Sequence, residues 1–226
     1  MNTDLTRLLE EWPYDSDDTV RIITAKDGRS VMQVRQPLGI EQYELDGRPD
    51  GLQPDGFETV VDLIEHRLAE YETSHGTREG FELTEDEVDD MENEGILFYY
   101  RYLLLFQLND FDRVIRDTAH NLRICDLLEE FATDDSDIES VLQFKPYIYR
   151  MHSVSEAMAL VQARENDRAR GILEDAIDVI QSMQEIDTPA FQFERVRSVN
   201  YLRSALEQID DTPDDPVMQL KQELET

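Results

Sequence analysis

The sequence predicts a mostly α-helical protein, a helical-hairpin array or bundle that carries a small N-terminal antiparallel β meander. Two segments, 105–114 and 160–169, share one pattern: an apolar helix end, a short polar turn with Asp-Arg, and a second amphipathic helix. The chain after residue 55 has apolar residues at helical spacing. The first 55 residues instead alternate apolar and polar positions around an Asp-Gly turn, which favours strands.

The N-terminal element, residues 1–55, contains a predicted β-hairpin. Strands at 19–25 and 30–35 flank the turn at Asp27-Gly28, and a third strand is expected at 40–45. A meander of three strands is too small to be stable alone, so we expect one of its faces to pack on the helices.

The helical domain, residues 56–209, has recognisable helix ends. The segment from Thr84 to Glu87 is a capping box, in which the hydroxyl accepts an amide proton and Glu87 reaches back. Pro189 stands at the first position of a helix, where proline is favoured. Pro146 falls inside a predicted helix at 138–149 and is expected to kink or break it before another helix at 153–163.

The two hairpin segments carry a family resemblance. Residues 96–132 and 153–184 resemble tetratricopeptide-type helical hairpins, in which small and large apolar residues alternate between packed helices. The copies are 55 residues apart, whereas repeats of that family are about 34 residues long, and the usual Gly and closing Pro are absent. The resemblance implies a divergent array that binds proteins. A plain helical bundle is the alternative.

Residues 210–226 are predicted to form an acidic linker and the start of a C-terminal helix. The tail from Pro216 to Thr226 resembles the opening of a UVR motif, a short helical hairpin of bacterial excision-repair proteins and Clp protease adaptors. That resemblance implies a bacterial protein with a contact to repair or proteolysis machinery. An ordinary charged helix is the alternative.

The charge of the chain restricts its partners. Fifty-two acidic residues face 21 basic ones, which gives a net charge of −31. Such a field repels phosphate backbones and anionic membranes, so direct nucleic-acid or membrane binding is disfavoured and a basic protein partner is favoured. Solubility in a salty environment is the other explanation. With one cysteine, Cys125, expected to be buried, and with no signal peptide or membrane span in the sequence, we expect a cytoplasmic protein.

No catalytic or cofactor motif is evident. Three pairs of a histidine and an acid are spaced so that both side chains lie on one helix face, and a metal-dependent helical enzyme is therefore a further alternative. The pairs are His66 with Glu70, Asp117 with His120, and His152 with Glu156.

The leading prediction is a non-enzymatic adaptor or scaffold, without a cofactor, whose helical surface binds a basic segment of a partner. The predicted apolar anchors are Tyr99, Tyr102, Phe106 and Tyr149, and the predicted rim charges are Glu87, Asp90 and Glu94. A second hypothesis is an acidic mimic of nucleic acid that occupies a DNA-binding or protease-associated protein. The oligomeric state is not predicted.

Overall fold

The computed structural model describes residues 4–210. It confirms a mostly α fold with a small antiparallel sheet at the N-terminus. The elements are α1 (Thr6–Glu11), β1 (Val20–Thr24), β2 (Ser30–Gln36), β3 (Gly39–Glu44), α2 (Val60–His75), α3 (Glu85–Gln107), α4 (Phe111–Phe131), α5 (Asp135–Leu142), α6 (Lys145–Gln162), α7 (Asn166–Ser182) and α8 (Pro189–Asp210). The tail that resembles a UVR motif lies outside the described residues.

The sheet has the order β1-β2-β3, with Val20 opposite Val34 and Val31 opposite Glu44. Its central strand buries Met32, which joins a core cluster with Tyr102 of α3 and Val114 of α4. The predicted packing of the meander on the helices is therefore confirmed.

The two predicted hairpins have the same turn. Asp110 N donates to Leu105 O at 3.0 Å, and Glu165 N donates to Leu160 O at 2.9 Å, 55 positions later. The helices of each hairpin, α3 with α4 and α6 with α7, pack on each other. In addition α4 packs on α6, and α8 packs on both α6 and α7, so the hairpins stack side by side.

The prediction for Pro146 was wrong in one respect. The chain breaks between α5 and α6, ahead of this proline, and α6 then runs without interruption from Lys145 to Gln162. Pro146 lies in the first turn of α6, where backbone N–H groups have no acceptor within the helix. The missing N–H of proline therefore costs no hydrogen bond there. It therefore begins a helix and interrupts none.

Other helix-end signals are confirmed. Thr84 and Glu87 form the capping box of α3, and Gly76 ends α2 with a left-handed φ of 75°. The hydroxyl of Thr188 accepts a hydrogen bond from the Phe191 amide at the start of α8. Within the described range of residues 4–210, no helix is both long and apolar enough to cross a membrane.

Candidate binding groove

A cavity of about 470 Å³ lies where α3, α4, α5, α6 and α8 meet. We call it the groove. Helix α3 lines it with a stripe at helical spacing, Met91, Gly95, Tyr99 and Tyr102. Its volume falls in the range of about 300–1,000 Å³ that is common for ligand sites. The other residues that line it are Glu92, Ile96, Asn121, Ile124, Ser140, Val141, Phe144, Tyr147, Ile148, Glu194 and Arg197.

Glycine at position 95 brings α4 close to α3. A Cβ there would lie 3.5 Å from Ile124 Cδ1, and the Gly95 carbonyl accepts a hydrogen bond from Asn121 Nδ2 at 2.9 Å. This bond fixes the orientation of the Asn121 side-chain amide, and the amide oxygen Oδ1 has no donor among the described residues. The close approach of the two helices forms one wall of the groove.

Three tyrosines form one end of the groove. The ring of Tyr99 packs edge-on against Tyr102, with centroids 5.5 Å apart, and lies 6.0 Å from the ring of Tyr147. Burial, together with the neighbouring Tyr99, raises the pKa of Tyr147 to about 12. Burial also raises the pKa of Tyr102 strongly, and its neighbours Tyr147 and Tyr99 add to the shift. The phenols of Tyr147 and Tyr102 are therefore neutral hydrogen-bonding groups at physiological pH.

Three polar atoms in the groove have no hydrogen-bond partner among residues 4–210: Tyr102 Oη, Asn121 Oδ1 and Glu194 Oε2. Their residues are 0%, 5% and 9% exposed. Buried polar atoms without partners are rare in native proteins because each has lost its hydration. Each of these atoms also has almost no accessible surface, and the neighbouring Arg150 Nη1 is likewise without a hydrogen-bond partner in the described part of the chain.

An ion pair stands beside this end. Arg150 Nη1 is 4.0 Å from Glu194 Oε2, which is too long for a hydrogen bond. The Arg150 guanidinium lies over the rings of Tyr147, at 4.7 Å, and Tyr201, at 5.2 Å. Burial lowers the pKa of Arg150. Glu194 therefore lies between two guanidiniums, because Arg197 Nη1 also donates to its Oε1 at 3.5 Å.

The mouth of the groove is apolar. Ile96 is 52% exposed and Phe144 is 45% exposed, although both are large hydrophobic residues. Ser140 donates a hydrogen bond to Glu92 at the same rim. Exposed apolar residues around an apolar cavity are typical of a surface that a partner covers.

Comparisons with protein-family models, curated proteins and solved structures find no match.

The predicted apolar anchors divide into two groups. Tyr99 and Tyr102 line the groove, although Tyr102 is fully buried and would meet only a ligand that enters the cavity. Phe106 and Tyr149 lie elsewhere, packed against the core cluster of α6, α7 and α8. Phe106 also packs edge-on against Phe111, with centroids 5.6 Å apart. Phe106 and Tyr149 therefore do not line the groove with Tyr99 and Tyr102, and all four stay predictions as partner contacts.

The prediction of Glu94 as a rim charge is wrong because its side chain is completely buried. Its carboxylate accepts hydrogen bonds from the amides of Val60, at 2.8 Å, and Val61, at 3.2 Å, at the start of α2. It also pairs with Arg48 at 3.3 Å and with His120 at 2.9 Å. The helix dipole of α2 favours this negative charge. Glu94 thus attaches α2 to α3 and is not available to a partner.

The other two rim residues remain predictions as partner contacts. Asp90 is exposed, and Glu87 is half-buried, where it caps α3 and pairs with Arg67. Neither lines the groove.

The acid of the Asp117–His120 pair belongs to a buried ion pair. Asp117 receives two hydrogen bonds from Arg101, at 2.6 and 2.8 Å, and both side chains are fully buried. Arg101 also donates to the carbonyl of Glu44, the last residue of β3, and to that of Gly47 in the following turn. This network joins the sheet to α3 and α4. In the described part of the chain, no three His, Cys, Asp or Glu side chains are grouped so that they could hold a metal ion.

Sequence reasoning missed Asn121 and Glu194. A sequence signal was present, because Glu194 and Ser198 lie at helical spacing between the apolar residues Phe191 and Leu202. All four are buried on one face of α8. Their spacing places the carboxylate of Glu194 on the buried face of the helix, where a charge is costly unless it is paired and hydrogen-bonded. Val196, on another face of the same helix, is 61% exposed.

Proposed function

We propose that this chain is a non-enzymatic adaptor whose groove holds a segment of a partner protein that combines apolar and basic residues. The observation that carries the proposal is an apolar cavity with an exposed apolar mouth at Ile96 and Phe144. Cavities between stacked helical hairpins are a common way to bind an extended or helical peptide.

The preference for a basic partner is supported by charge. The net charge of −31 attracts positive segments over long distances and raises the rate at which they meet the protein. Around the groove itself, the carboxylates of Glu92 and Glu194 are balanced by the guanidiniums of Arg197 and Arg150, so this preference comes from the net charge of the chain. A segment that places apolar residues in the groove and basic residues beside it would fit both the apolar lining and the negative charge of the chain.

The proposal of a non-enzymatic role is supported by the contacts of the glutamate, histidine and cysteine side chains, which are residue types that enzymes often use in catalysis. Glu94 and His120 bond to each other, and neither lines the groove. Burial raises the pKa of Cys125 to about 12, which keeps the thiol protonated. These groups act within the fold and do not face a cavity where a substrate would bind.

A random peptide library displayed on phage tests the proposal. We expect selection on the intact chain to enrich peptides that share apolar and basic positions and that compete with one another for one site. The double variant Ile96→Ser, Phe144→Ser removes apolar area from the mouth without changing charge and should lose these peptides.

The matched control is Leu38→Ser. Leu38 is 91% exposed and lies in the turn between β2 and β3, so this variant loses a similar apolar side chain away from the groove. It should bind the selected peptides like the parent protein. Selection that enriches no family of peptides, or equal binding by the groove variant, would contradict the proposal.

A further inference from the structure

Strand β1 is an edge strand of the sheet. The sheet order is β1-β2-β3, so β1 pairs with β2 on one side only. Arg35 N donates to Thr19 O at 2.7 Å in this ladder, and in an antiparallel pair every second residue is bonded to the neighbouring strand. The odd-numbered residues of β1 therefore bond to β2, and the N–H and C=O groups of Val20, Ile22 and Thr24 point out from the edge.

The outward groups of β1 are unpaired along the whole strand. Within residues 4–210, no hydrogen bond reaches the backbone of Val20, Ile22 or Thr24 from the open side. The opposite edge of the sheet is different, because Glu44 N donates to Pro49 O at 2.9 Å. An edge strand without proline, lysine or a bulge is a template for pairing with another strand, and β1 has none of these three features.

The outward residues are complementary to a second copy of themselves. In an antiparallel pair centred on Ile22, each Ile22 lies opposite its own copy, and Val20 lies opposite Thr24 of the other chain. All three residues are β-branched, which favours strands. Ile22 is 44% exposed although it is a large hydrophobic residue, and this pairing would cover it.

The charges around the edge fit the same register. The hairpin of β1 and β2, residues 19–36, has four basic residues and one acidic residue, in a chain with a net charge of −31. Two copies that meet here therefore bring together a basic part of each chain, and salt screens the repulsion of the rest beyond about 8 Å. The register also places Lys26 of each copy beside Asp18 of the other. Both are exposed, and neither has an ion-pair partner among residues 4–210.

We propose that β1 is a dimerisation edge, at which two copies of this chain pair antiparallel about Ile22 and join their sheets into one sheet of six strands. Each outward N–H and C=O group then gains a hydrogen-bond partner, and each Ile22 packs on its copy. The inference does not depend on the proposed function, because no residue of β1 lines the groove.

Disulfide crosslinking tests the register. Directly opposite residues of a bonded antiparallel pair have Cα atoms about 5.5 Å apart, a distance that a disulfide spans. Ile22→Cys should therefore form a crosslinked dimer under mild oxidation, and so should a mixture of Val20→Cys and Thr24→Cys. Thr24→Cys alone is the matched control, since the two copies of residue 24 would be separated by about 13 Å along the strands. The native Cys125 is buried and should not contribute.

Sedimentation equilibrium of the intact chain measures the dimer without a crosslink. We expect the mass to rise toward twice that of the monomer as the protein concentration increases. Ile22→Lys places like charges opposite each other and should abolish the dimer. Leu38→Lys adds the same charge at a residue that is 91% exposed in the turn between β2 and β3, and it should leave the dimer unchanged.

An exchange of charges separates the contact from the effect of net charge. Lys26→Glu makes the chain more negative and Asp18→Lys makes it less negative, yet both should weaken the dimer because each places like charges together across the edge. The double variant restores an opposite pair and should recover the dimer. General repulsion between the copies would instead weaken the dimer in Lys26→Glu and strengthen it in Asp18→Lys.

Three results would overturn the proposal. The first is a parent chain that stays monomeric throughout the concentration range, and the second is a dimer that persists in Ile22→Lys. The third is crosslinking of Thr24→Cys alone as fast as that of Ile22→Cys, because contact would then be random. A stronger dimer in Asp18→Lys would overturn the register. Thermal melts verify that every variant folds, and none of these results bears on the selection of peptides by the groove.

Discussion

Asn109 and Arg164 adopt the same left-handed backbone conformation, with φ of 58° and 61°, at equivalent positions of the two hairpin turns. Both amides donate three residues back, to Phe106 O at 3.0 Å and to Val161 O at 2.9 Å. The repeat seen in the sequence therefore extends to backbone geometry. Two turns with the same shape hold α3 against α4 and α6 against α7 in the same way.

Replacement of Arg164 by glycine should stabilise the protein. A side chain in the left-handed region costs about 1–2 kcal/mol, and glycine avoids this cost but loses some of the gain through a more flexible unfolded chain. We expect the free energy of unfolding to rise by about 0.5–1 kcal/mol. Asn109→Gly should gain less because asparagine tolerates this conformation. Urea denaturation measures both, and a loss of stability in Arg164→Gly would contradict the assigned turn.

Removal of the Glu94 carboxylate should be strongly destabilising. Glu94→Ala leaves Arg48, His120 and the first amides of α2 without their acceptor in a buried site. Breaking a buried ion pair in this way costs about 3–5 kcal/mol. The control is Asp90→Ala, one helical turn earlier and exposed, which should change stability by less than about 0.5 kcal/mol. Similar effects of the two substitutions in urea denaturation would show that Glu94 is not buried.

The tyrosines should titrate in separate steps. Burial raises the pKa of Tyr147 and of Tyr43 to about 12, while an unfolded tyrosine has a pKa of about 10. Between about pH 10 and 12 the unfolded chain has lost protons that the folded chain retains, so folding stability falls as pH rises through this window. Below about pH 10 this contribution is fully present.

Ultraviolet absorbance of tyrosinate measures these steps. We expect the native protein to keep a late-titrating group of tyrosines that includes Tyr147, and Tyr147→Phe to remove one residue from it. Protein in concentrated denaturant should titrate in a single step near pH 10, as unfolded tyrosines do. A native titration identical to the denatured one would contradict the burial of these phenols.

The thiol of Cys125 should be unreactive in the folded protein. It is 0% exposed, and burial raises its pKa to about 12, whereas a disulfide reagent requires an accessible thiolate. At about pH 8 we expect no reaction until the chain unfolds, and full reaction in denaturant. Release of the coloured product measures the rate. Immediate labelling of the native protein would contradict the burial of α4 in the core.

The elements of the fold could be predicted because their signals are local. The turn between β1 and β2, the capping box of Thr84 and Glu87, and the start of α8 at Pro189 each depend on a few neighbouring residues. The short-range hydrogen bonds that form these structures are specified by residue types within three or four positions. Pro146 was misjudged because the same residue starts or breaks a helix according to where the preceding helix ends.

The candidate site depended on contacts between distant segments. Glu94 and Asp90 are both acids on α3, yet one is buried against α2 and the other is exposed. Tyr102, Asn121 and Glu194 come from three helices, and only the packing of α8 beside α6 brings Glu194 to the groove. By itself the amino-acid order determined the class of fold, its helix ends, its repeated turn and its negative charge, since these follow from local bonding and composition. The tertiary structure alone decided which polar groups are buried and which cavity they share, because burial is a property of the assembled helices.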